Sequence, residues 1–440
     1  MSSQADRSRA NEAAVKPVVN VGERAWLIAL LAFTTILSQF FRSAVAVIAP
    51  ELVRDLALTP EALAWTSSGY FLALLVAQPL VGFAFDRFGA RRTVATLAIA
   101  MTLGAALHAT AHDATMMIAA RFVVGIGCAA SFMSAVVLVS QWFPRASWST
   151  ALSWVFGLAQ IGILLAGAPL AWISETYGWR NAFLVSACAS AVCGLVFFFG
   201  VRDAQHVGTE RAEDLGLVAG LRAVFATPGV WPVFTLFAVA YAASMTITGL
   251  WVGTYLKDVH GLDAFARGRI ITAMAVAQTV AVLVYGPLDR VFNSRKWVIF
   301  SGSTLTCITL AVFALYPALP TWIASALLIW LAGVAAYGTM LLTHVRTLFP
   351  DHLAGRGATT GNMAQLLGTA LLPMATGLVP GFVTGAAIPP GTPYPVEAYR
   401  WIFAIVAGAL AIGLAVYLGS RDTKPRETTP EDGHGGQAQR

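Results

Sequence analysis

Twelve stretches nearly free of charge, each close to twenty residues or longer, alternate with short polar punctuation along the chain. A helix needs roughly 20 apolar residues to cross a hydrocarbon core of about 30 Å. The pattern predicts spans over 25–49, 62–84, 93–111, 115–141, 148–172, 180–200, 230–256, 267–289, 297–316, 320–348, 357–380 and 399–418. A closed barrel would need shorter strands of alternating polarity, and these runs are too long and too uniformly apolar for that. The fold class is therefore an all-α integral membrane protein with twelve transmembrane helices. The longest polar connection, 201–229, carries Arg202, Asp203, Arg211, Glu213, Asp214 and Arg222 and separates six spans from six. It divides the chain into a tail (1–24), a first half (25–200), a linker (201–229), a second half (230–418) and a polar, Pro- and Gly-containing tail (419–440) expected to be disordered. Within the linker, 210–225 has enough helix formers for a short amphipathic helix on the membrane surface, or it stays unstructured.

Composition supports the membrane reading: 57% of residues are apolar and 11% charged, against about 25% charged in ordinary soluble domains, and the mean hydropathy is +0.70. The first 24 residues are polar and lack an apolar core followed by a cleavage site, so no signal peptide is expected. If the amino terminus is cytoplasmic, that side holds 20 of the 28 Lys and Arg residues and the opposite side 6. The positive-inside rule then puts both termini in the cytoplasm of a cell-membrane protein. The same distribution accounts for the net charge of +6 through topology and attraction to anionic lipid, with no call for nucleic acid. Cys128, Cys188, Cys193 and Cys307 fall within spans, without metal-ligand spacing, and read as small packing residues. Nothing in the chain points to a metal or cofactor.

The two halves repeat a charged turn. Gly82-Phe-Ala-Phe-Asp86-Arg87-Phe-Gly89-Ala-Arg91-Arg92 joins the second and third spans, and Gly286-Pro-Leu-Asp289-Arg290 followed by Arg295-Lys296 stands at the matching place about two hundred residues later. The fourth span ends Gln141-Trp-Phe143-Pro144 and the tenth ends Thr347-Leu-Phe349-Pro350. This turn, its position and the central linker resemble the major facilitator superfamily of transporters, over roughly residues 25–418. The resemblance implies two parallel six-helix repeats with the substrate between them near the midplane, and a working monomer. It further implies that Gly82, Asp86, Arg87, Gly89 and Arg91, with Asp289 and Arg290 in the second copy, gate the cytoplasmic side. In that second copy Asn293-Ser294 replace the glycine at the turn, which suggests a looser loop that keeps its charge pairing.

The most pointed functional candidate is Arg42, a charge inside the first span, since an intramembrane charge is costly and by default marks a pathway or a paired site. Thr35, Ser38, Gln39 and Arg42 form one polar stripe at helical spacing, expected to face a central cavity. Gln39-Phe-Phe-Arg42 with Pro50 beyond is similar to the first helix of organophosphate antiporters and anion:cation symporters, where the arginine contacts an anionic substrate. A guanidinium suits that use because its planar fork pairs with carboxylate or phosphate and keeps its charge. Snorkelling to the interface is the other reading. The chain departs from both groups: the seventh span has no partner arginine, and Cys128 stands where the symporters have a glutamate. Every acidic residue falls in a tail, loop or span end, so no mid-membrane carboxylate is expected to carry a proton. His344, near the inner end of the tenth span, is then the candidate for proton coupling, or a hydrogen-bonded packing residue.

Further cavity candidates are Tyr241, Ser244, Thr248, Trp251 and Tyr255 on the seventh span, Tyr337 on the tenth, and Asn362, Gln365 and Thr369 on the eleventh. The same residue types also bridge packed membrane helices. Arg121, four residues before Gly125, is expected to serve packing. The pattern as a whole predicts a transporter of a small organic anion. The alternatives are an exporter of amphipathic drug-like compounds, whose fifth-span signature is partly met by Gly157, Gly162, Gly167 and Pro169, and a membrane ligand sensor. The chain lacks clustered histidines or carboxylates at the inner face and any phosphate-binding glycine loop, so neither an enzyme nor an ATP-driven pump is expected.

Overall fold

Hydrocarbon leaves no partner for an open backbone N–H or C=O, and the described residues satisfy theirs in helices without a strand. The computed structural model describes residues 21–144, 147–201, 217–349, 351–385, 388–389 and 392–423. The expected disorder of the two tails and most of the linker concerns residues outside that set. Twelve membrane-length helices result: α1 (Gly22–Asp55), α2 (Pro60–Phe85), α3 (Arg87–Thr110), α4 (Ala114–Trp142), α5 (Thr150–Tyr177), α6 (Trp179–Gly200), α7 (Val230–Asp258), α8 (Ala264–Val291), α9 (Arg295–Leu315), α10 (Thr321–Thr347), α11 (Arg356–Thr384) and α12 (Val396–Tyr417). Several run past the spans read from hydropathy. α1 continues from 49 to Asp55, because helical hydrogen bonding persists into water after the apolar side chains stop. In the linker, Leu217–Ala226 is helical and rests against α11.

An even number of spans puts both described chain ends at one end of the bundle, here called the terminal end. The halves repeat the same packing: α1 lies on α5, α2 and α3 on α4, and α3 on α6, while α7 lies on α11, α8 on α10 and α9 on α12. The repeat extends to single atoms. A Cβ on Gly162 would overlap the Ile36 carbonyl oxygen, and one on Gly368 would overlap the Ala238 carbonyl oxygen, so α5–α1 and α11–α7 approach equally closely at matching places. Across the halves, α2 packs on α11 and α8 on α5.

Both copies of the charged turn reverse the chain through a residue at positive φ: Gly89 at 79° and Asn293 at 48°. Asparagine tolerates that region better than other side chains, which is how the second copy dispenses with glycine. Its loop is not loose, as the sequence suggested. Asp289 pairs with Arg295 at 3.1 Å, Ser294 caps α9 through the Trp297 amide, and Asp422 accepts from the Ser294 hydroxyl and the Lys296 amide.

Arg121 is completely buried in the first half. Its Nε donates to the Thr66 carbonyl at 2.9 Å and its Nη1 to the Phe41 carbonyl at 2.7 Å, with the guanidinium 4.7 Å from the Tyr70 ring centre. It therefore ties α4 to α2 and α1, the packing role expected for it. Replacing it with methionine removes both charge-assisted hydrogen bonds to these carbonyls and the contact with the Tyr70 ring. Arg121→Met is expected to lower stability by about 3 kcal/mol, read as a fall in the thermal midpoint of the detergent-solubilised protein.

Candidate functional site

Halfway along α1 the polar stripe turns toward α7. Arg42 is half-buried, and its Nη1 donates to the Tyr241 hydroxyl at 2.6 Å, so the contact crosses from one half to the other. The guanidinium carbon lies 6.0 Å from the Phe71 ring and 5.8 Å from the Tyr241 ring, within range of a cation–π attraction. Its Nε is buried without a hydrogen bond, and among the described residues no carboxylate pairs with it. Beside it Gln39 faces Gln160 of α5, amide to amide at 3.5 Å. Two aromatic rings, two amides and an uncompensated guanidinium thus converge on one point near the middle of the bundle.

The remaining stripe residues of α1 are already occupied. The Thr35 hydroxyl donates back to the Leu31 and Ala32 carbonyls, and Ser38 meets the Tyr70 hydroxyl at 3.5 Å. On α7 the expected stripe divides. A π-helical turn at Ile247–Trp251 inserts a residue into the helical phase, a feature frequent at functional sites. Tyr241 before it and Thr248 within it stay half-exposed, Thr248 bonding back to Ser244, which is buried. Trp251 at its end and Tyr255 beyond it are fully buried, with Trp251 Nε1 on the Thr376 hydroxyl at 2.9 Å and the Tyr255 hydroxyl on the Pro317 carbonyl. Both are placed as packing residues, because periodicity alone could not show the phase shift. Tyr337 is likewise buried, wedged against Gly302 of α9 in a 3-10 turn. Asn362 and Gln365 are half-exposed on α11, while Thr369 is buried and bonds back to Gln365. Gln160, Tyr70 and Phe71 escaped the sequence reading. Gln160 carried the available signal, a lone amide in an apolar run, as Gln39 did.

His344 is fully buried, its Nδ1 2.8 Å from the Tyr417 hydroxyl and its Nε2 3.1 Å from the Arg421 carbonyl. A carbonyl only accepts, so Nε2 carries the proton and the ring tethers α10 to the end of α12. This arrangement suits packing. His108 is a second buried membrane histidine, passed over in the sequence, stacked on Phe183 at 3.7 Å.

The halves meet beyond Arg42, toward the end opposite the termini. Arg267 of α8, 2% exposed, pairs with Glu51 of α1 at 2.5 Å, and Glu51 Oε2 with Arg267 Nε and Nη1 are buried without hydrogen bonds. The pair sits nine residues past Arg42 on α1, about 13 Å along the axis. Glu51 is thus a partly buried carboxylate, its side chain 16% exposed, near the end of a span and paired through Oε1 with a cation. Around it a Cβ on Gly253 would overlap the Ala46 carbonyl oxygen and one on Gly377 the Ala64 side chain, while the Ala168 amide donates to Thr272 across the halves. Toward the terminal end, by contrast, Leu80 and Phe83 of α2 and Leu283 and Val291 of α8 are more than 60% exposed. The close contacts between the halves thus gather at the far end, and Arg42 lies on their terminal side.

The gating candidates lie at the terminal end. Arg91 donates to the Phe198 carbonyl and stacks over the Phe198 ring at 4.5 Å, joining α3 to α6 inside its own half. Arg87 and Arg290 are exposed, Asp289 is paired as described, and Gly82 has no neighbour within 4 Å of a Cβ. The Asp86 side chain lies outside the described residues. A recess of about 570 Å³ between α3 and α6 is lined by Ala95, Ile99, Leu103, Leu195 and Phe198. Its walls suit lipid, and it is remote from Arg42.

Comparison with known proteins decides the family. The model of the Major Facilitator Superfamily matches residues 31–373 and 268–438. The chain belongs to the major facilitator superfamily. A bacterial homolog of the human lysosomal transporter Spinster, in an inward-facing, unoccupied conformation, superposes with a TM-score of 0.77 at 17% identity over 91% of this chain and 97% of that one, a likeness of fold. Among curated relatives, a galacturonate transporter of Dickeya chrysanthemi is 29% identical over 44% of this chain and 56% of its own length. A probable sulfoacetate transporter of Cupriavidus necator is 23% identical over 77% of this chain and 82% of its own length. A multidrug resistance protein B homolog of Mycobacterium tuberculosis is 30% identical over 62% of this chain and 47% of its own length. The match spans only about half the length of the first of these. The protein is a multi-pass membrane member of a transporter superfamily.

The far-end seal is testable. Glu51→Ala leaves Arg267 buried without its counter-charge, a loss of about 3–5 kcal/mol that falls on the sealed state. A cysteine at Thr248, on the cavity side of the seal, is expected to react with an impermeant maleimide applied at the far face at least about tenfold faster in Glu51→Ala than in its parent. Equal labelling rates contradict the seal.

Proposed function

We propose that the protein is a secondary transporter of small organic anions, carrying a hydroxylated carboxylate of the sugar-acid type by alternating access around Arg42. The observation that supports this most is the half-buried guanidinium that has a tyrosine hydroxyl and two rings for company and no carboxylate. Such a charge is stabilised best by an anion that enters its site. Gln39 and Gln160, each with donor and acceptor capacity, stand where hydroxyl groups of the same ligand can be read. The galacturonate transporter among the relatives is named for a hydroxylated carboxylate, and the probable sulfoacetate transporter for a carboxylate that bears a sulfonate in place of hydroxyls.

The excess of Lys and Arg at the terminal end makes that end cytoplasmic. The described conformation is then inward-facing, with Glu51–Arg267 closing the outside. The working unit is one chain, since the cavity is built between its own halves and lies within the bilayer. A second reading, export of drug-like cations or neutral amphiphiles, draws on the multidrug relative and on the aromatic walls Phe71 and Tyr241. A bare central cation disfavours cationic cargo.

The test is thermal stabilisation of the purified protein by galacturonate, glucuronate, sulfoacetate and a lipophilic cation, in the wild type, Arg42→Lys and Arg42→Ala. Anion-selective stabilisation is expected, with affinity weakened about 100-fold in Arg42→Ala, or about 2.7 kcal/mol, and less in Arg42→Lys, which keeps the charge and loses the fork. Stabilisation by the lipophilic cation that survives Arg42→Ala overturns the anion reading in favour of export.

A further inference from the structure

We infer that the recess between α3 and α6 is a binding site for one anionic phospholipid, with an acyl chain laid along the recess and the phosphate held by Arg92. Such a site is independent of the cargo. It lies on the outer wall of the first half: α6 packs on α1, α3 and α5 of its own half, and its other side is apolar and open, Val185, Val192, Leu195 and Phe199 all being more than half exposed.

Small residues make the recess. Ala98 and Gly194 are buried at its base, where a Cβ on Gly194 would lie 2.8 Å from the Ala98 side chain, and Ala95 and Ala191 beside them leave the space unfilled. Ile99 and Leu103 of α3 and Leu195 and Phe198 of α6 form its exposed rims. Of its few polar groups, the Thr102 hydroxyl is spent on the Ala98 carbonyl at 2.8 Å. The volume of about 570 Å³ is that of a ligand pocket, which holds about 300–1,000 Å³. On α3 the recess runs from Arg92 to Leu103, about 16 Å of helix. That is close to the depth of one leaflet, half of a hydrocarbon core of about 30 Å. Walls of this kind suit methylene groups and offer a water-soluble anion nothing.

At its terminal end the recess finishes on a cation. Arg92 is exposed there, and among the described residues no carboxylate pairs with it. Its neighbour Arg91 is engaged by the carbonyl and ring of Phe198, which fixes one rim. Thr96 stands exposed one turn deeper than Arg92 on the same face. The internal repeat supplies the comparison. Three residues past the positive-φ position of the turn stands Arg92 in the first half and Lys296 in the second. Lys296 Nζ donates to the Leu418 and Ser420 carbonyls at 2.7 and 2.8 Å, so that copy spends its cation on the end of its own α12. The first copy leaves a guanidinium, whose planar fork matches a phosphate, at headgroup depth above a leaflet-deep apolar recess. With the terminal end cytoplasmic, this is the leaflet that carries the anionic lipids. Snorkelling alone would account for the arginine, but it requires no recess beneath it.

The experiment counts lipid on the purified, delipidated full chain by native mass spectrometry, titrating phosphatidylglycerol, phosphatidylcholine or glycerol phosphate, the last being a headgroup without chains. One phosphatidylglycerol is expected to bind at least about tenfold more tightly than phosphatidylcholine, and Arg92→Gln to weaken it about tenfold, the loss of one charge-assisted contact. The double variant Ala95→Leu, Ala191→Leu keeps the charge and fills the recess, and is expected to weaken binding at least as much. Arg222→Gln, which removes an exposed charge from the linker helix, is expected to leave binding unchanged, and glycerol phosphate not to compete. Equal binding of the two lipids, an equal loss in Arg222→Gln and Arg92→Gln, or full affinity in the leucine variant overturns the site. Displacement of phosphatidylglycerol by glycerol phosphate at matched concentration overturns it in favour of a free phosphate ester. Either failure leaves the organic-anion reading untouched.

Discussion

Arg42 holds a full positive charge well inside a membrane span, where charge is tolerated only if water, a partner or a ligand reaches it. Each neighbouring feature bears on that constraint. Arg121 takes the Phe41 carbonyl, one residue before Arg42, and so fixes the local position of α1 against α2 and α4. Tyr241 brings a hydroxyl from the opposite half, and Gln39 with Gln160 keeps one flank polar. Arg42 itself is only partly buried, so its charge is not wholly enclosed by protein. On the proposed function, this arrangement receives an anionic guest at Arg42.

The far end shows the opposite solution to the same problem. There a buried arginine has its carboxylate, and the helices of the two halves approach closely at Gly253 and Gly377. A paired site of this kind gains little net stability over apolar packing but loses several kcal/mol when one partner goes. That asymmetry makes it a latch, stable when whole and opened by a modest perturbation. The two cross-half arginines thus differ in partner: Arg267 meets a carboxylate, and Arg42 a neutral hydroxyl.

Much of the architecture was legible in the sequence because spans, charge bias and the duplicated turn all depend on local composition. Arg42 was legible for the same reason, as a charge in an apolar run. The cavity wall was less so. The face of α7 changes at Ile247–Trp251, and no periodicity scan can locate a π-turn, so Trp251 and Tyr255 were assigned to the wrong side of their helix. Gln160 and Phe71 reach the site through tertiary packing of α5 and α2, which local pattern does not encode. Asn293 adopts the left-handed turn that Gly89 adopts in the first copy, a substitution whose equivalence appears only in the backbone angles. Glu51 looked like a loop residue because the apolar run stops before it, although the helix does not.

The most direct measurement is a structure of the protein with galacturonate bound. Anchoring by Arg42 predicts a carboxylate oxygen at about 2.7–2.9 Å from the guanidinium, the distance of a charge-assisted hydrogen bond, with sugar hydroxyls toward Gln39 and Gln160. Galacturonate seated in the cavity with its carboxylate turned away from Arg42, and Arg42 still on Tyr241 alone, would contradict it.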